Sequence, residues 1–258
     1  MENLVLYHVA ERIATITINR PEKRNALNPQ LIAELTAAFI QASEDDFVKV
    51  VVLNANGSSF SAGADLEYLQ QLQHNTFEEN VTDSNNLRKL FTTIYYLPKV
   101  VIAQVEGHAI AGGCGLATIC DIVFATPESN FGYTEVKIGF VPAIVSCFLK
   151  QKVSENISKE ILLTGKTFSA EQAQKYNLIN FVTNSTEIHQ KVKDFALSLC
   201  NESSGNSLMI TKQLISQTNN PLLEKSLETA VQINARVRES EDFKKGIASF
   251  LKKEKINW

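Results

Sequence analysis

The sequence reads FSAGAD at residues 60–65 and GHAIAGGCG at residues 107–115, and each stretch follows a run of hydrophobic residues. Small side chains let the backbone of a loop approach a ligand closely, and glycine also adopts positive φ angles without strain. Two loops of this kind can direct backbone N–H groups at one point, which is how an oxyanion hole is built. The two stretches therefore predict a site that stabilises negative charge on an oxygen atom.

Hydrophobic runs along the first half of the chain predict the strands of an α/β fold. Residues 12–19 alternate between apolar and polar side chains with a period of two, as expected for a strand with one buried face. Residues 48–54, 100–105 and 121–125 are rich in apolar and β-branched residues, which is typical of strands buried on both faces. A helix capped by Asn28 separates the first two strands. This order favours βαβ crossovers and a largely parallel sheet.

Helical spacing dominates the second half of the chain. From about residue 185 onward, apolar side chains recur every three or four residues, which predicts a C-terminal helical region. Residues 169–172 read SAEQ, a capping-box pattern that predicts the start of an earlier helix. Residues 67–85 are polar, and we predict an irregular, mobile segment there. The motif spacing shows no internal repeat. The change from strands to helices along the chain divides it into a core at residues 1–200 and a helical region at residues 201–258.

Composition excludes several classes of protein. The chain has 258 residues, 44% of them hydrophobic, and its net charge of −3 argues against binding nucleic acid. No apolar run reaches the ~18 residues that a membrane span needs, and the N-terminal residues lack the regions of a secretory signal. The cysteines form no C-x-x-C pair, and the histidines share no metal-ligand spacing. We therefore expect a cytoplasmic protein with reduced thiols, no metal, no nucleic-acid partner and no membrane anchor.

A third motif, FGYTE at residues 131–135, completes a set that resembles the crotonase family, the enoyl-CoA hydratases and isomerases. The resemblance covers about residues 4–258. It implies an α/β fold with a crotonase (ClpP/crotonase-like) ββα-spiral core and a C-terminal helical trimerisation region. It also implies an acyl-CoA substrate, with coenzyme A as part of the substrate and no separate cofactor. Because the family assembles as trimers and often as dimers of trimers, we expect a homotrimer or a dimer of trimers.

The resemblance assigns catalytic roles to three residues. The backbone amides of Ala64 and Gly112 match the two donors of the family's oxyanion hole, and Glu135 matches a glutamate that exchanges a proton with the substrate α-carbon. A carboxylate that faces an apolar acyl pocket should have a raised pKa, which suits acid–base chemistry near neutral pH. Asp65 either orients the first loop through backbone hydrogen bonds or is an ordinary turn residue.

Gly115 is the clearest departure from the family pattern. Hydratases carry the motif G-G-C-E-L-A, with a first catalytic glutamate, where this chain reads GGCGLA at residues 112–117. Gly115 and Glu135 lie 20 residues apart (135 − 115 = 20), the separation of the family's two glutamates, so the glycine stands in the glutamate's place. We expect the glycine to leave room for a bulkier, carboxylate-bearing acyl group and to remove a like charge beside it.

The segment EVKIGFVPAIVS at residues 135–146 resembles bacterial methylglutaconyl-CoA hydratases of leucine degradation, which tend to carry glycine at the position of Gly115. Other hydratases follow their second glutamate with a P-G-x-G-G pattern, which PAIVS at residues 142–146 replaces. The leading prediction is an enoyl-CoA hydratase with 3-methylglutaconyl-CoA as substrate. A 3-enoyl to 2-enoyl-CoA isomerase that uses Glu135 alone is the second hypothesis. A non-catalytic acyl-CoA-binding protein is the third.

A basic loop at residues 20–24 matches the place where the family meets the adenine and phosphates of coenzyme A. Lys23 and Arg24 are candidates for phosphate contacts, and a solvated basic loop is the alternative interpretation. The resemblance places the adenine against main-chain atoms near Ala26 and Ala62. The other residues that we predict to bind substrate or coenzyme A are Asp65, Leu66, Gly115, Tyr133 and Pro142.

Overall fold

The computed structural model describes residues 3–217, 220–256 and 258. The N-terminal residues considered above for a secretory signal begin with residues 1 and 2, which lie outside the described residues. Ten strands and eleven α-helices lie within the described residues. The strands are β1 (Val5–Ala10), β2 (Ile13–Ile18), β3 (Val50–Ala55), β4 (Ser59–Ser61), β5 (Val100–Val105), β6 (His108–Ile110), β7 (Ile122–Ala125), β8 (Asn130–Gly132), β9 (Phe168–Ser169) and β10 (Phe181–Val182).

The strands form two sheets of different size. The larger sheet has the order β1-β2-β3-β5-β7-β10, and every neighbouring pair is parallel except β1 with β2. The smaller sheet has the order β4-β6-β8-β9, and only the pair of β8 with β9 is antiparallel. The four strands predicted from the sequence are β2, β3, β5 and β7, so the predicted parallel sheet is confirmed.

The chain passes from the larger sheet to the smaller one three times in succession, in the pairs β3–β4, β5–β6 and β7–β8. Helices follow each pair, so the structure contains the ββα repeat of a spiral core. We found no repeat in the sequence because the helical connections differ in length. Two helices join β4 to β5, whereas one helix of seven residues joins β6 to β7.

The helices surround the two sheets. The cap predicted at Asn28 is present, since its side chain accepts a hydrogen bond from the Leu31 N–H at 2.8 Å. The helices are α1 (Pro29–Glu44), α2 (Leu66–Leu72), α3 (Phe77–Tyr95), α4 (Gly112–Thr118), α5 (Ala143–Lys152), α6 (Glu155–Thr164), α7 (Ala170–Lys175), α8 (Ile188–Glu202), α9 (Gly205–Gln217), α10 (Asn220–Val237) and α11 (Glu241–Leu251).

The prediction of an irregular segment at residues 67–85 is wrong, because α2 and the first half of α3 occupy it. Thr76 and Glu79 form a reciprocal capping box that begins α3. Leu69 and Leu72 on α2 are buried against Phe243 and Ile247 of α11. The many polar residues hid both helices, since only a few leucines reveal which face is buried.

The C-terminal helices pack on the rest of the chain. Helix α10 contacts α3 and α5, and α11 contacts α2 and the 3₁₀ turn Glu135–Ile138. The last contact is very close, since a β-carbon on Gly246 would lie 2.1 Å from the Ile138 carbonyl oxygen. Helices α9, α10 and α11 occupy most of the described residues between 205 and 251, as the helical spacing predicts, and the boundary at residue 201 and the trimerisation role stay predictions.

Two further findings concern the described residues. All four cysteines are buried and carry free thiols, as expected: Cys114, Cys120, Cys147 and Cys200. Among the described helices, none combines the length and the apolar character that a membrane span needs. The cytoplasmic location stays a prediction.

Candidate active site

The three loops that carry the predicted catalytic residues leave the smaller sheet at one edge. Ala64 follows β4, Gly112 follows β6 and Glu135 follows β8. These three strands are parallel neighbours in the order β4-β6-β8. Parallel strands end at the same edge of a sheet, where ligand sites of α/β folds commonly lie. The sheet topology alone therefore brings residues 64, 112 and 135 together.

Gly63 allows the first two loops to touch. Its φ of +87° lies in the left-handed region that favours glycine. A β-carbon on Gly63 would lie 2.9 Å from Cβ of Ala111 and 3.6 Å from the Gly112 nitrogen. Any larger residue at position 63 would therefore push apart the two loops that carry the predicted amide donors.

The N–H groups of Ala64 and Gly112 have no acceptor among the described residues. A short parallel bridge fixes the Ala64 peptide, because Leu27 donates to the Gly63 carbonyl at 2.7 Å and accepts from the Asp65 N–H at 2.8 Å. The bridge uses the groups on both sides of Ala64, so its own N–H points away from Leu27. Gly112 is the first residue of α4, where N–H groups lack an intrahelical acceptor. Both amides can therefore serve one oxyanion.

Ala111 connects the second loop to the strand that precedes Glu135. Its N–H donates to the Gly132 carbonyl oxygen at 2.7 Å, and its carbonyl oxygen accepts from the Gly115 N–H at 3.1 Å. Its φ of +52° and ψ of −125° are unusual for alanine, and such strain costs roughly 1–3 kcal/mol. The strained residue turns the chain sharply from β6 into α4.

Glu135 presents a buried carboxyl group with an unsatisfied oxygen. It begins the 3₁₀ turn Glu135–Ile138, is 7% exposed, and its Oε2 has no hydrogen-bond partner among the described residues. Burial raises the pKa of Glu135 to about 7, since removal from water disfavours the charged form. This is the direction expected from the sequence. A carboxyl group with this pKa can both accept and release a proton near neutral pH.

A cavity of about 190 Å³ lies beside these loops. Its apolar wall includes Leu69, Leu72, Leu87, Ile138, Phe140 and Ile144. The predicted site residues that line the cavity are Ala62, Ala64, Leu66, Gly112, Glu135 and Pro142. The structure therefore places the two free amides, the buried carboxyl group and an apolar pocket around one space.

Asp65 holds the first loop in place. One oxygen of its side chain accepts from the N–H groups of Glu67 and Tyr68 at 2.9 and 3.3 Å, which caps α2. Its other oxygen accepts from Arg20 at 2.6 Å, and Arg20 also donates to the Ala26 carbonyl at 2.9 Å. Burial favours a higher pKa for Asp65, but the Arg20 guanidinium and the two amides outweigh it and lower this pKa. These contacts agree with the orienting interpretation.

The predicted coenzyme A loop lies against the first oxyanion loop. The carbonyl of Arg24 accepts from the Ala62 N–H at 3.0 Å, and the buried Ala26 donates to the Lys23 carbonyl at 3.1 Å. The Lys23 side chain forms an exposed ion pair with Glu67 at 2.7 Å. The structure thus brings the four predicted residues of this loop pair together, although only Ala62 among them lines the cavity.

The space expected at Gly115 is filled. A β-carbon on Gly115 would lie 2.4 Å from Val145 Cγ1 and 3.0 Å from Phe91 Cε1. Val145 lines the cavity and Gly115 does not. The prediction that this glycine leaves room for the acyl group is therefore wrong, because Val145 occupies the volume. In the P-G-x-G-G pattern, position 145 corresponds to a glycine, so the two positions have exchanged a large and a small side chain.

Tyr133 does not reach the cavity either. Its side chain is fully buried, and its hydroxyl group shares a hydrogen bond with Thr118 Oγ1 at 2.9 Å. Burial raises the pKa of Tyr133 well above its usual value. Tyr133 is part of the hydrophobic core, so the prediction that it binds substrate is wrong. The FGYTE motif places Tyr133 next to the site in sequence, but it does not show on which side of the chain the aromatic ring is buried.

Besides Thr134 in the loop of Glu135, four polar residues on the cavity wall were not predicted: Tyr68, Asp83, Asn234 and Arg238. They come from α2, from α3, from α10 and from the residue that follows α10. Tyr68 and Arg238 each contact the Asp83 carboxylate. Because they are as much as 170 residues apart (238 − 68 = 170), no local motif could have grouped them.

The family model for enoyl-CoA hydratase/isomerase matches residues 8–258. The chain belongs to this family. It is 39% identical to a Thermus thermophilus protein provisionally named an enoyl-CoA hydratase, over 93% of this chain and 95% of that protein. It is 30% identical to a 2,3-dehydroadipyl-CoA hydratase of Escherichia coli, over 94% and 93% of the two chains.

Solved structures of the family share the architecture. A crystal structure of an enoyl-CoA hydratase from Mycobacterium avium matches with a TM-score of 0.89 and 31% identity, and covers 100% of both chains. The expected crotonase fold is therefore confirmed, and the chain is an enzyme of the hydratase/isomerase family.

Proposed function

We propose that this protein adds water to the double bond of an enoyl-CoA thioester. One observation carries the proposal: the free N–H groups of Ala64 and Gly112 and the buried carboxyl group of Glu135, whose Oε2 has no partner among the described residues, border a single cavity. The first two suit a thioester oxygen that becomes negative, and the third suits proton transfer to carbon. Relatives named as hydratases support the same reaction.

The proposed reaction gives each of these groups a role. The oxygen of a water molecule bonds to the β-carbon, and the electrons of the double bond shift towards the thioester carbonyl. Ala64 and Gly112 donate to the carbonyl oxygen as its negative charge grows, and one such donor is worth about 2.7–4 kcal/mol. Glu135 takes a proton from the water and delivers a proton to the α-carbon, so the enzyme returns to its initial state.

An isomerase is the second candidate, and Gly115 favours it. Hydration commonly uses two carboxylates, whereas the position of the family's first glutamate is a glycine here. An isomerase needs Glu135 alone, which would remove a proton from the α-carbon of a 3-enoyl thioester and return it to the γ-carbon. Incubation of 2-enoyl- and 3-enoyl-CoA in deuterated water separates the reactions by mass spectrometry. Gain of a water molecule supports the hydratase, and deuterium exchange without hydration supports the isomerase.

A non-catalytic acyl-CoA-binding protein is the third candidate. The buried Glu135 with its raised pKa argues against it, because a binding protein has no need of a buried carboxyl group with an unsatisfied oxygen beside the acyl chain. In the same experiment, binding of the thioester without exchange or hydration would support this candidate and contradict both enzymes.

For the substrate, we propose 3-methylglutaconyl-CoA. Support comes from the resemblance of residues 135–146 and from the similarity to a hydratase named for 2,3-dehydroadipyl-CoA, whose acyl group ends in a carboxylate. The measurement is kcat/KM for 3-methylglutaconyl-CoA and for crotonyl-CoA. A higher value for crotonyl-CoA would contradict this substrate and leave the reaction type standing.

For the coenzyme A moiety, we propose contacts of its phosphates with Lys23 and Arg24 and of its adenine with the main chain near Ala26 and Ala62. Support comes from the hydrogen bond of Ala62 with Arg24, which joins this loop to the oxyanion loop. Replacing Lys23 by Ala should raise KM and leave kcat unchanged, since the contact is the same in the ground and transition states.

For the assembly, we propose a homotrimer or a dimer of trimers. Support comes from exposed apolar side chains around a surface cavity, namely Leu163, Leu222 and Ile233, which are 73%, 75% and 47% exposed. Light scattering at micromolar concentration provides the test, and a strictly monomeric mass would contradict the proposal. Removal of the residues after Ser240 should weaken both assembly and ligand binding, because α11 packs beside the cavity.

A further inference from the structure

The cavity wall contains a buried ionic cluster that the proposed reaction does not use. We call it the α3–α10 cluster, and its members are Tyr68, Asp83, Asn234 and Arg238. Arg238 is 4% exposed, and its Nη2 lies 2.7 Å from Asp83 Oδ2. The Tyr68 hydroxyl group donates to the other oxygen of Asp83. Both carboxylate oxygens of Asp83 therefore have partners.

The guanidinium group of Arg238 has a buried Nε without a hydrogen-bond acceptor among the described residues. Its Nη1 donates to Asn80 Oδ1 at 3.2 Å, and its carbon lies 5.9 Å from the centre of the Phe140 ring. Its Nε has no partner among the described residues, and neither does Oδ1 of Asn234, which is also 4% exposed. Asn234 lies near the end of α10 and Arg238 follows the helix directly, and both line the same cavity. Buried polar atoms without partners are rare and call for an explanation.

Apolar residues surround this cluster on the same elements. Leu69 and Leu72 on α2 and Leu87 on α3 line the cavity together with the cluster. An acyl chain that lies along these leucines has its thioester at the free amides and can bring its other end to Arg238. A methyl end would leave the buried Nε without an acceptor, whereas an anionic end would supply one.

We infer that the α3–α10 cluster recognises a carboxylate on the acyl group of the thioester, an inference that rests on the proposed acyl-CoA substrate. The substrate carboxylate accepts from Nε of Arg238. The Asn234 amide rotates about its last bond, which exchanges its oxygen for its NH₂ group and adds a second donor. Asp83 holds the guanidinium in place and offsets part of its charge, while Phe140 covers one face of it.

A purely structural role is the competing explanation, because the pair of Asp83 with Arg238 also ties α3 to the end of α10. The chain provides a matched control for this role. Arg88 on α3 and Glu224 on α10 form a second ion pair, at 2.6 Å, between the same two helices. Neither residue lines the cavity. Arg88→Gln therefore removes a bond between these helices without touching the acyl pocket.

The test compares binding of three saturated thioesters of equal chain length: adipoyl-CoA, hexanoyl-CoA and 6-hydroxyhexanoyl-CoA. Isothermal titration calorimetry on the full-length protein should show adipoyl-CoA binding about 10–100-fold more tightly than hexanoyl-CoA, as expected for a hydrogen bond to a charged group. Arg238→Gln and Asn234→Leu should each reduce this ratio, and Arg88→Gln should preserve it. Asn234→Leu keeps the ion pair, so it tests the site even where Arg238→Gln fails to fold.

Three results would overturn the inference: equal binding of adipoyl-CoA and hexanoyl-CoA, tightest binding of 6-hydroxyhexanoyl-CoA, or an unchanged ratio in Asn234→Leu. Turnover is measured separately, with 2,3-dehydroadipyl-CoA and 2-hexenoyl-CoA. Preferential binding of adipoyl-CoA without turnover of either enoyl thioester would contradict the proposed hydratase and leave the carboxylate site standing. Turnover of either enoyl thioester, together with equal binding of adipoyl-CoA and hexanoyl-CoA, would contradict the carboxylate site and leave the proposed hydratase standing.

Discussion

The two halves of the cavity are built in different ways. The half at the edge of the smaller sheet supplies backbone amides at residues 64 and 112 and one carboxyl group at residue 135, each directly after a strand. The helical half supplies the α3–α10 cluster and leucines from α2 and α3, which are distant in sequence. The first half therefore depends on main-chain geometry and short motifs. The second depends on side chains that only tertiary packing brings together.

In the two proposals above, this difference separates the chemistry of the enzyme from its specificity. Backbone donors depend little on side-chain identity, so the oxyanion half can stay the same while the helical half changes with the acyl group. Changes in the first half should lower turnover of every thioester. Changes in the second should alter the ratio between thioesters, as expected for Arg238.

Glu135→Gln should have the largest effect on catalysis. Glutamine cannot exchange the proton, so kcat on the best enoyl thioester should fall by about 10²–10⁴-fold, while binding of coenzyme A thioesters should persist. Steady-state kinetics and calorimetry measure the two quantities. Glu160→Gln, which alters an exposed glutamate on α6, is the control. Wild-type turnover by Glu135→Gln would contradict the role of Glu135 in proton transfer.

Gly115→Glu tests the packing behind the cavity wall, where Gly115 lies beside Val145. The new side chain would overlap Val145, whose Cγ1 lies 2.4 Å from the added β-carbon. Overpacking and the burial of a charged group should lower the free energy of unfolding by about 3 kcal/mol or more, measured by urea denaturation. Gly115→Glu/Val145→Gly recreates the family pattern and should recover much of this loss. A single variant as stable as the wild type would show that Val145 does not fill the site.

The sequence predicted most of the first half and little of the second. The loops at Ala64 and Gly112 and the position of Glu135 follow from contiguous motifs after strands, and the structure places all three at one cavity. Gly115 shows the limit of this approach, because a motif identifies a missing side chain but not the neighbour that fills its place. Arg238 and Asp83 carry no local signal at all, since their pairing depends on how α3 and α10 pack.

The pH dependence of the free energy of unfolding should show how much the burial of Glu135 in the first half destabilises the fold. Its pKa of about 7 in the folded state exceeds the usual value of 4.5. Below pH 4.5 both states are protonated; as pH rises, the unfolded state ionises first, so the wild type loses stability until pH exceeds its folded-state pKa. A pKa difference of about 2.5 (7 − 4.5) corresponds to about 3 kcal/mol.

Urea denaturation of the wild type and of Glu135→Gln across this pH range measures that cost. Glutamine does not titrate, so the stability of Glu135→Gln relative to the wild type should increase by about 3 kcal/mol between about pH 4.5 and about pH 8. Comparing the two proteins at each pH cancels the titration of all other groups. A difference that is independent of pH would show that the Glu135 carboxyl group is hydrated in the folded protein.

Gly246→Ala should have the smallest effect. Gly246 lies on α11, which packs against α2 of the helical half and against the turn that carries Glu135. Its β-carbon would lie 2.1 Å from the Ile138 carbonyl oxygen, so α11 must move away from the turn that carries Glu135. We expect a loss of about 1–3 kcal/mol in the free energy of unfolding. Water admitted beside the turn should also lower the pKa of Glu135 and shift the pH profile of kcat to lower pH. Gly205→Ala is the matched control, because the nearest atom to its β-carbon outside its own helix would be in the Lys49 side chain, at an ordinary contact distance of 3.6 Å. A profile that stays in place despite the loss of stability would mean that α11 supports the fold without setting the protonation of Glu135.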